Sequence, residues 1–291
     1  MSRTNRYTVG VKDTLKTPLT PGDIVMSPIG ICHTDFDEKF GIPRQPGLCE
    51  DARGVVILNE SAELTRACRE LSQFSHIWLI FCFHVTGRVG WRPTIRPPRL
   101  GGKKRVGVLS TRSPHRPNPI GISAVGLERI ETTKNRTALY VYGVDLVDRT
   151  PILDVKPYIG YADAIGEAST GWAVGGFTIT PVAWTYEAEK SVTDLLQNTP
   201  PIITSLNDLT EERARRIRLI SQVISHDPRP AAQKERYPVT AALSSDAVFG
   251  ITLFGWDVQF RIEEQRFVVF SITPFIKTRS FYSSFQKSLP K

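Results

Sequence analysis

Residues Gly121–Leu146 read GISAVGLERIETTKNRTALYVYGVDL. Two runs within them, Gly121–Ile130 and Ala138–Leu146, are rich in β-branched and aromatic side chains, the composition of strands rather than helices. The same texture recurs upstream at Ile24–Ser27, Gly54–Leu58, His76–Phe83 and Val106–Ser110, with Pro and Gly between the runs. Ala62–Leu71 is the one helix expected in this part. Many short strands with turn signals and few helices predict a β-barrel or sandwich over residues 21–165 and argue against a doubly wound sheet.

The flanks read differently. Residues 1–20 form a polar tail, and 166–181 (GEASTGWAVGGFTITP) a linker with four glycines and a closing proline. Residues 182–276 mix helix and strand. Thr204–Ser225 places Leu209, Ile217, Ile220 and Ile224 on one side and Arg213, Arg215, Arg216 and Arg218 largely elsewhere, an amphipathic helix with Asn207 or Asp208 as N-cap. Val248–Ile262 and Arg266–Thr273 read as a hairpin turning at Glu263–Gln265, and 277–291 as a basic, Ser-rich tail. The expected class is therefore mainly β, followed by a small α+β C-terminal domain.

Charge is segregated along the 291 residues. The net charge is +8, from 37 Lys and Arg against 29 Asp and Glu. The stretch between Glu70 and Glu128 has no acid and nine bases: Arg88, Arg92, Arg96, Arg99, Lys103, Lys104, Arg105, Arg112 and Arg116. The whole positive excess lies there, which points to a polyanion such as nucleic acid. The longest apolar run, Ile77–Phe83, is far too short to span a membrane, and Met1–Thr8 lacks the apolar core of a secretory signal. Cys32, Cys49, Cys68 and Cys82 have neither CxxC nor metal-ligand spacing; free buried thiols in the cytoplasm are expected.

Four motifs carry candidate chemistry. Gly90–Gly102 (GWRPTIRPPRLGG) sets arginines in a loop that Pro93, Pro97 and Pro98 stiffen, so little entropy is lost when guanidinium meets phosphate; Trp91 adds a face for an unstacked base. Ser110–Ser123 (STRSPHRPNPIGIS) presents Arg112, His115, Arg116 and Asn118 from a rigid backbone. Asp145–Tyr158 (DLVDRTPILDVKPY) holds Asp145, Asp148 and Asp154 at a spacing that matches no known metal pattern, so salt-bridged strand ends are expected and no metal. Asp227–Pro230 (DPRP) locks an arginine between prolines. His76 and His84, eight residues apart, would share one face of a strand, with His76 expected as a core histidine. No P-loop, GxGxxG, GxSxG or HExxH occurs.

PRQPGL (Pro43–Leu48), WRPTIRPPRLGG (Trp91–Gly102), TRSPHRPNPIG (Thr111–Gly121), DLVDRTPILDVKPY and DPRP, in this order, resemble the TrmO (TsaA/YaeB-like) family of tRNA methyltransferases over about Gly22–Pro274. The resemblance implies a single-sheet β-barrel of about seven strands with a small C-terminal domain, acting as a homodimer. It implies methyl transfer from S-adenosylmethionine (SAM) to N6 of threonylcarbamoyladenosine (t6A), just 3′ of the anticodon, chiefly in threonine tRNAs.

By the same resemblance, SAM contacts fall on Pro46, Gly47 and Leu48; on His84 and Val85; on Arg112 and Ile122; and on Tyr142, Gly143, Val144 and Asp145. Arg112 suits the SAM carboxylate, and Asp145 the ribose hydroxyls or ammonium. N6 of t6A is a weakly nucleophilic urea-type N–H, so a proton acceptor is expected: Asp145, His115 or the side-chain oxygen of Asn118. Arg88, Arg92, Arg96, Arg99, Lys103 and Lys104 would hold phosphates. Gln45 and Arg116 would lie near the modified base, and Arg229 would reach RNA from the C-terminal domain. Two other classes stay open: the same barrel acting on another RNA or a small molecule, and a non-catalytic RNA-binding module.

Overall fold

The computed structural model describes residues 26–85, 90–176, 178–198, 209–240 and 245–275. The N-terminal half runs β1 (Gly30–Thr34), β2 (Arg53–Leu58), α1 (Ala62–Ala67), β3 (His76–Cys82), β4 (Thr94–Ile95), β5 (Val106–Gly107), β6 (Ile120–Thr133), β7 (Arg136–Tyr142), β8 (Thr150–Pro157) and a short α2 (Gly160–Asp163). The C-terminal half follows with β9 (Val182–Trp184), α3 (Tyr186–Asn198), α4 (Leu209–Ser225), α5 (Ala231–Arg236), β10 (Ser245–Leu253), β11 (Trp256–Glu263) and β12 (Arg266–Pro274). The expected N-caps Asn207 and Asp208 and the polar tails lie outside the described residues.

Six strands close a barrel in the order β1-β2-β7-β6-β3-β8, each pair antiparallel. The count is thus six, within the class expected. Inward side chains alternate along each strand, and Cys32, Val56, Ile77, Leu79, Val125, Leu139, Val141 and Ile152 fill the interior. Closure redraws some boundaries. Met26 and Ser27 carry no strand; the first is Gly30–Thr34, because that segment pairs with β2 on one side and β8 on the other. β8 has no clear strand signal in the sequence because Asp154, Lys156 and two prolines mask it, yet Pro151 and Pro157 stand near its ends, where a strand tolerates a missing N–H. β7 stops at Tyr142, four residues early, since Gly143 turns the chain at φ 71°.

In the C-terminal half, β10, β11 and β12 form an antiparallel meander with β9 added in parallel beside β12. The expected strand Val248–Ile262 is two strands, joined by a tight turn at Phe254–Gly255 in which both residues have positive φ. The turn at Glu264–Gln265 falls where the sequence places it. α3 and α4 cover this sheet with Ala188, Val192, Leu219, Ile220, Val223 and Ile224 against Phe260, Phe267 and Val269.

Two arginines of α4 do not face solvent as its amphipathic pattern predicts. Arg215 and Arg216 are buried on Glu212, and Arg215 also meets Asp35 of the barrel half at 2.7 Å. A desolvated charge must be paired, and this cluster pairs them. Burial raises the Glu212 carboxyl, but the hydrogen bonds and charge of Arg215 and Arg216 outweigh it and hold it below its ordinary value.

Candidate active site at one mouth of the barrel

Strand register decides which loops meet. Tyr142 ends β7 opposite Gly126, so the chain beyond it runs on beside the start of β6, and Ser123 Oγ donates to Asp145 Oδ1 at 2.6 Å. β3 ends beside the same stretch, with Phe83 N donating to Pro119 O at 2.8 Å. The turn before β2 closes the third side, where Gly47 N donates to Gly143 O at 2.9 Å. Loop 35–52, the described residues 83–85 and 90–119 of the next, and loop 143–149 therefore gather at one end of the barrel. Arg112 Nη1 donates to Gln45 Oε1 at 2.5 Å, tying the first two together.

The electrostatic centre is Asp145. Desolvation by burial pushes its carboxyl up to about 6; the Ser123 hydroxyl, its own backbone and the Arg112 charge pull the other way and only partly compensate. Val85 and Ile122 offer exposed apolar surface at this mouth, at 53% and 52% exposure. An anchored carboxylate, a guanidinium, an apolar patch and the Gly47–Gly143 backbone crossing suit a ligand carrying both charge signs and a flat heterocycle, as SAM does. Side chains at two of the expected cofactor contacts point elsewhere. The Tyr142 ring packs edge-on to His76 at 6.1 Å with Arg53 5.3 Å from its centre, and Val144 is fully buried in the core. Backbone is what these two residues offer the mouth. Pro46, Leu48 and His84 are half-buried around it.

The Ser110–Ser123 loop is braced from within. Arg116 Nη1 donates to Thr111 O at 3.0 Å, and Arg92 N to His115 O at 3.1 Å, which ties it to the arginine-rich loop. His115 is half-buried, and its Nδ1 is enclosed with no hydrogen-bond partner among the described residues. Asn118 is exposed. The arginine-rich stretch is a small hairpin in which β4 pairs with β5. Arg92, Arg96 and Lys104 stand exposed on it.

Three expected RNA contacts are placed otherwise. Arg99 spends its guanidinium on the carbonyls of Val174, Gly175 and Gly176, so the supposed linker lies against this hairpin; Trp172 Nε1 likewise donates to Ser110 O at 3.2 Å. Lys103 pairs with Glu235 at 2.8 Å, an acid supplied from outside the acid-free stretch. Arg229 is 2% exposed, held by both carboxylate oxygens of Asp227 and by Tyr237 O, with its guanidinium 4.7 Å from the Phe249 ring centre. It is a structural residue with no face for phosphate. Arg88 lies outside the described residues.

The histidine and carboxylate readings also resolve. His76 is exposed rather than a core residue, and His84 lies beyond the far end of the seven-residue β3, so they share no site. Asp154 pairs with Lys156 at 2.9 Å, the salt-bridged end expected, and Asp148 Oδ1 lies 3.1 Å from His33 Nδ1. Among the described residues no group of His, Cys, Asp or Glu is arranged to hold a metal, and no helix is long and apolar enough to cross a membrane. All four cysteines are free, with Cys32 and Cys49 buried and Cys68 and Cys82 half-buried. Ser123 carries no signal in the sequence because hydroxyls are common in strands; only the bond from its Oγ to Asp145 marks it.

Known proteins resemble this chain in sequence and fold. Residues 31–164 match the family profile of the tRNA-methyltransferase O N-terminal domain, and residues 179–275 that of the TrmO C-terminal domain. The Escherichia coli K12 protein named tRNA (adenine(37)-N6)-methyltransferase is 36% identical over 247 residues, 84% of this chain and 96% of that protein. A protein of the same name from Eikenella corrodens is 40% identical over 191 residues, 66% of this chain and 92% of its own. The crystal structure of TrmO from Pseudomonas aeruginosa superposes with a TM-score of 0.64 at 30% identity, covering 88% of this chain and 100% of that one. Two family profiles in tandem, a relative matched along almost its whole length and a shared fold lead to one conclusion: this chain belongs to the TrmO family of tRNA methyltransferases.

Proposed function

We propose that this protein transfers the methyl group of SAM to N6 of t6A beside the anticodon of tRNA, threonine tRNAs first, as a homodimer in the cytoplasm. The observation that carries this reading is the buried Asp145 carboxylate, seated against Ser123 at the mouth where the Arg112–Gln45 pair joins two loops. SAM supplies an electrophilic methyl carbon whose sulfonium neighbour loses its charge on transfer.

The chain's own residues supply position and charge. Asp145 offers an acceptor to the ribose hydroxyls or the ammonium, and either a cation or a donor there relieves the cost of its burial. Arg112 receives the carboxylate. Backbone at Pro46–Leu48 and Tyr142–Asp145 frames the cofactor, while the faces of Val85 and Ile122 exclude water from one side. In-line displacement needs little covalent help, so holding N6 aligned with the methyl carbon supplies most of the rate.

The urea-type proton of N6 must leave as the bond forms. His115, half-buried, and Asn118, exposed, are candidate acceptors on the Ser110–Ser123 loop. Asp145 is the third candidate, since an acid held at about 6 is ionised at neutral pH. Arg92, Arg96 and Lys104 meet the anticodon-loop phosphates, and Gln45 and Arg116 border the base.

Mass spectrometry of tRNA nucleosides from cells lacking the protein tests the reading; loss of the N6-methyl form of t6A, restored by the wild-type gene but not by Asp145→Asn, is the expected result. Methylation of free metabolites and not tRNA would transfer the site to another acceptor. Absence of binding heat with SAM would make the protein a binding module.

A further inference from the structure

The turn proposed to frame the cofactor, Pro46–Leu48, sits in the middle of loop 35–52, which leaves the barrel at the end of β1 and re-enters it at β2. Such a loop, anchored only at its two ends, would sample many conformations unless something else held it. α4 and the residue after it hold it at three places.

Arg215 binds both ends of the loop at once: Nη1 donates to Asp35 Oδ2 at 2.7 Å and to the Asp51 carbonyl at 3.0 Å. Arg218 and Gln222 take the Asp51 side chain at 3.0 and 2.9 Å, and Asp51 N donates to Gln222 Oε1 at 3.2 Å. His226 reaches the turn itself, with Nε2 3.1 Å from the Leu48 carbonyl; an oxygen acceptor requires Nε2 to carry the proton. The next residue back, Gly47, is the one bonded to Gly143 beside Asp145. Positions 215, 218 and 222 recur at helical spacing and His226 follows directly after the helix, so one stripe of α4 and its C-terminal end run along the loop.

We infer that α4 is a positioning element of the cofactor site. His226 acts directly on the Pro46–Leu48 turn, and Arg215 closes the loop that bears it. In this chain the C-terminal half thus serves SAM binding in addition to any contact with RNA. The inference rests on the proposed placement of SAM at this turn. His226 touches no reacting atom; it acts through Leu48.

The test is steady-state kinetics of His226→Ala and His226→Gln in the full-length protein, with SAM and tRNA varied separately. Loss of one ordering contact from a binding loop is expected to raise KM for SAM about tenfold. KM for tRNA should hold, Tm should move by no more than about 3 °C, and Gln, whose side-chain amide can donate to the same carbonyl, should restore most of the loss. An unchanged KM for SAM, or a fall in kcat alone, would overturn the inference, because a merely structural role lowers the active fraction and not the affinity. If His226→Ala fails to fold, Gln222→Met loosens Asp51 without touching the turn, and an unchanged KM for SAM there overturns it equally. Calorimetry of the wild-type protein with SAM separates the two readings: no binding at all would remove the proposed function, whereas normal wild-type binding with an insensitive His226 removes only this inference.

Discussion

Asp145 is where sequence, burial and function converge on a single atom pair. Its pKa of about 6 is higher in the fold than in the unfolded chain, so the folded state holds the proton more tightly. Its contribution to stability is therefore fullest below the unfolded value of about 4 and is lost as pH rises through about 6. The proposed function runs the opposite way, since it assigns the acceptor role to the ionised form. kcat/KM for SAM should rise with unit slope up to about pH 6 and level above it. Ser123→Ala removes a bond that lowers this pKa, so the midpoint should move to higher pH, while Asp145→Asn should abolish the limb and reduce activity by roughly 100-fold or more. A flat profile in the wild-type enzyme would exclude Asp145 from the rate-determining ionisation. A second residue-level prediction concerns Gly121, opposite Phe81 in the barrel. A Cβ there would lie 2.3 Å from the Phe81 ring tip, and that ring is 5% exposed in the core. Gly121→Ala should cost about 1–3 kcal/mol in urea unfolding through overpacking.

Among elements, the arginine-rich hairpin divides into cations that reach outward and cations already engaged. Arg92, Arg96 and Lys104 are exposed, whereas Arg99 braces the 174–176 carbonyls and Lys103 faces Glu235. Replacing Arg92, Arg96 and Lys104 together with Ala should flatten the dependence of log K for tRNA on log salt by about 2, at a slope of ~0.7 per phosphate contact on single strands. Filter binding across several salt concentrations reads this. Lys103→Ala should change the slope much less. An equal effect of the two would mean that the Glu235 pair opens on RNA. The strands themselves were legible because β-branched runs and Pro/Gly breaks are local. β8 was not, because its charged and proline residues belong to an element defined by partners on both sides.

At the scale of the molecule, the two halves are joined through charge buried between them. Asp35 is 8% exposed and faces Arg215, which is 2% exposed; around them stand Glu212, Asp51, Arg216 and Arg218. Asp35→Ala leaves Arg215 short of a partner and should destabilise the protein by roughly 3–5 kcal/mol in chemical denaturation. A loss under about 1 kcal/mol would show that Glu212 alone satisfies the guanidinium. For Arg215 and Arg216 of α4 and for Arg229 the sequence alone predicts an outward side chain, because an arginine is usually solvated. Burial reverses that rule wherever carboxylates, carbonyls and aromatic rings are brought to the same place.

The linear chain alone determined the β-rich N-terminal half, the α+β end, the five motifs with their family and the concentration of positive charge, because periodicity, turn chemistry and composition act over a few neighbouring residues. Tertiary structure alone decided that six strands close the ring, that loops from Gln45, Arg112 and Asp145 share one mouth, and which cations remain available to a polyanion. Those outcomes depend on register and on pairing between residues far apart in the chain, as with Lys103 and Glu235, 132 positions apart. No local pattern carries that information.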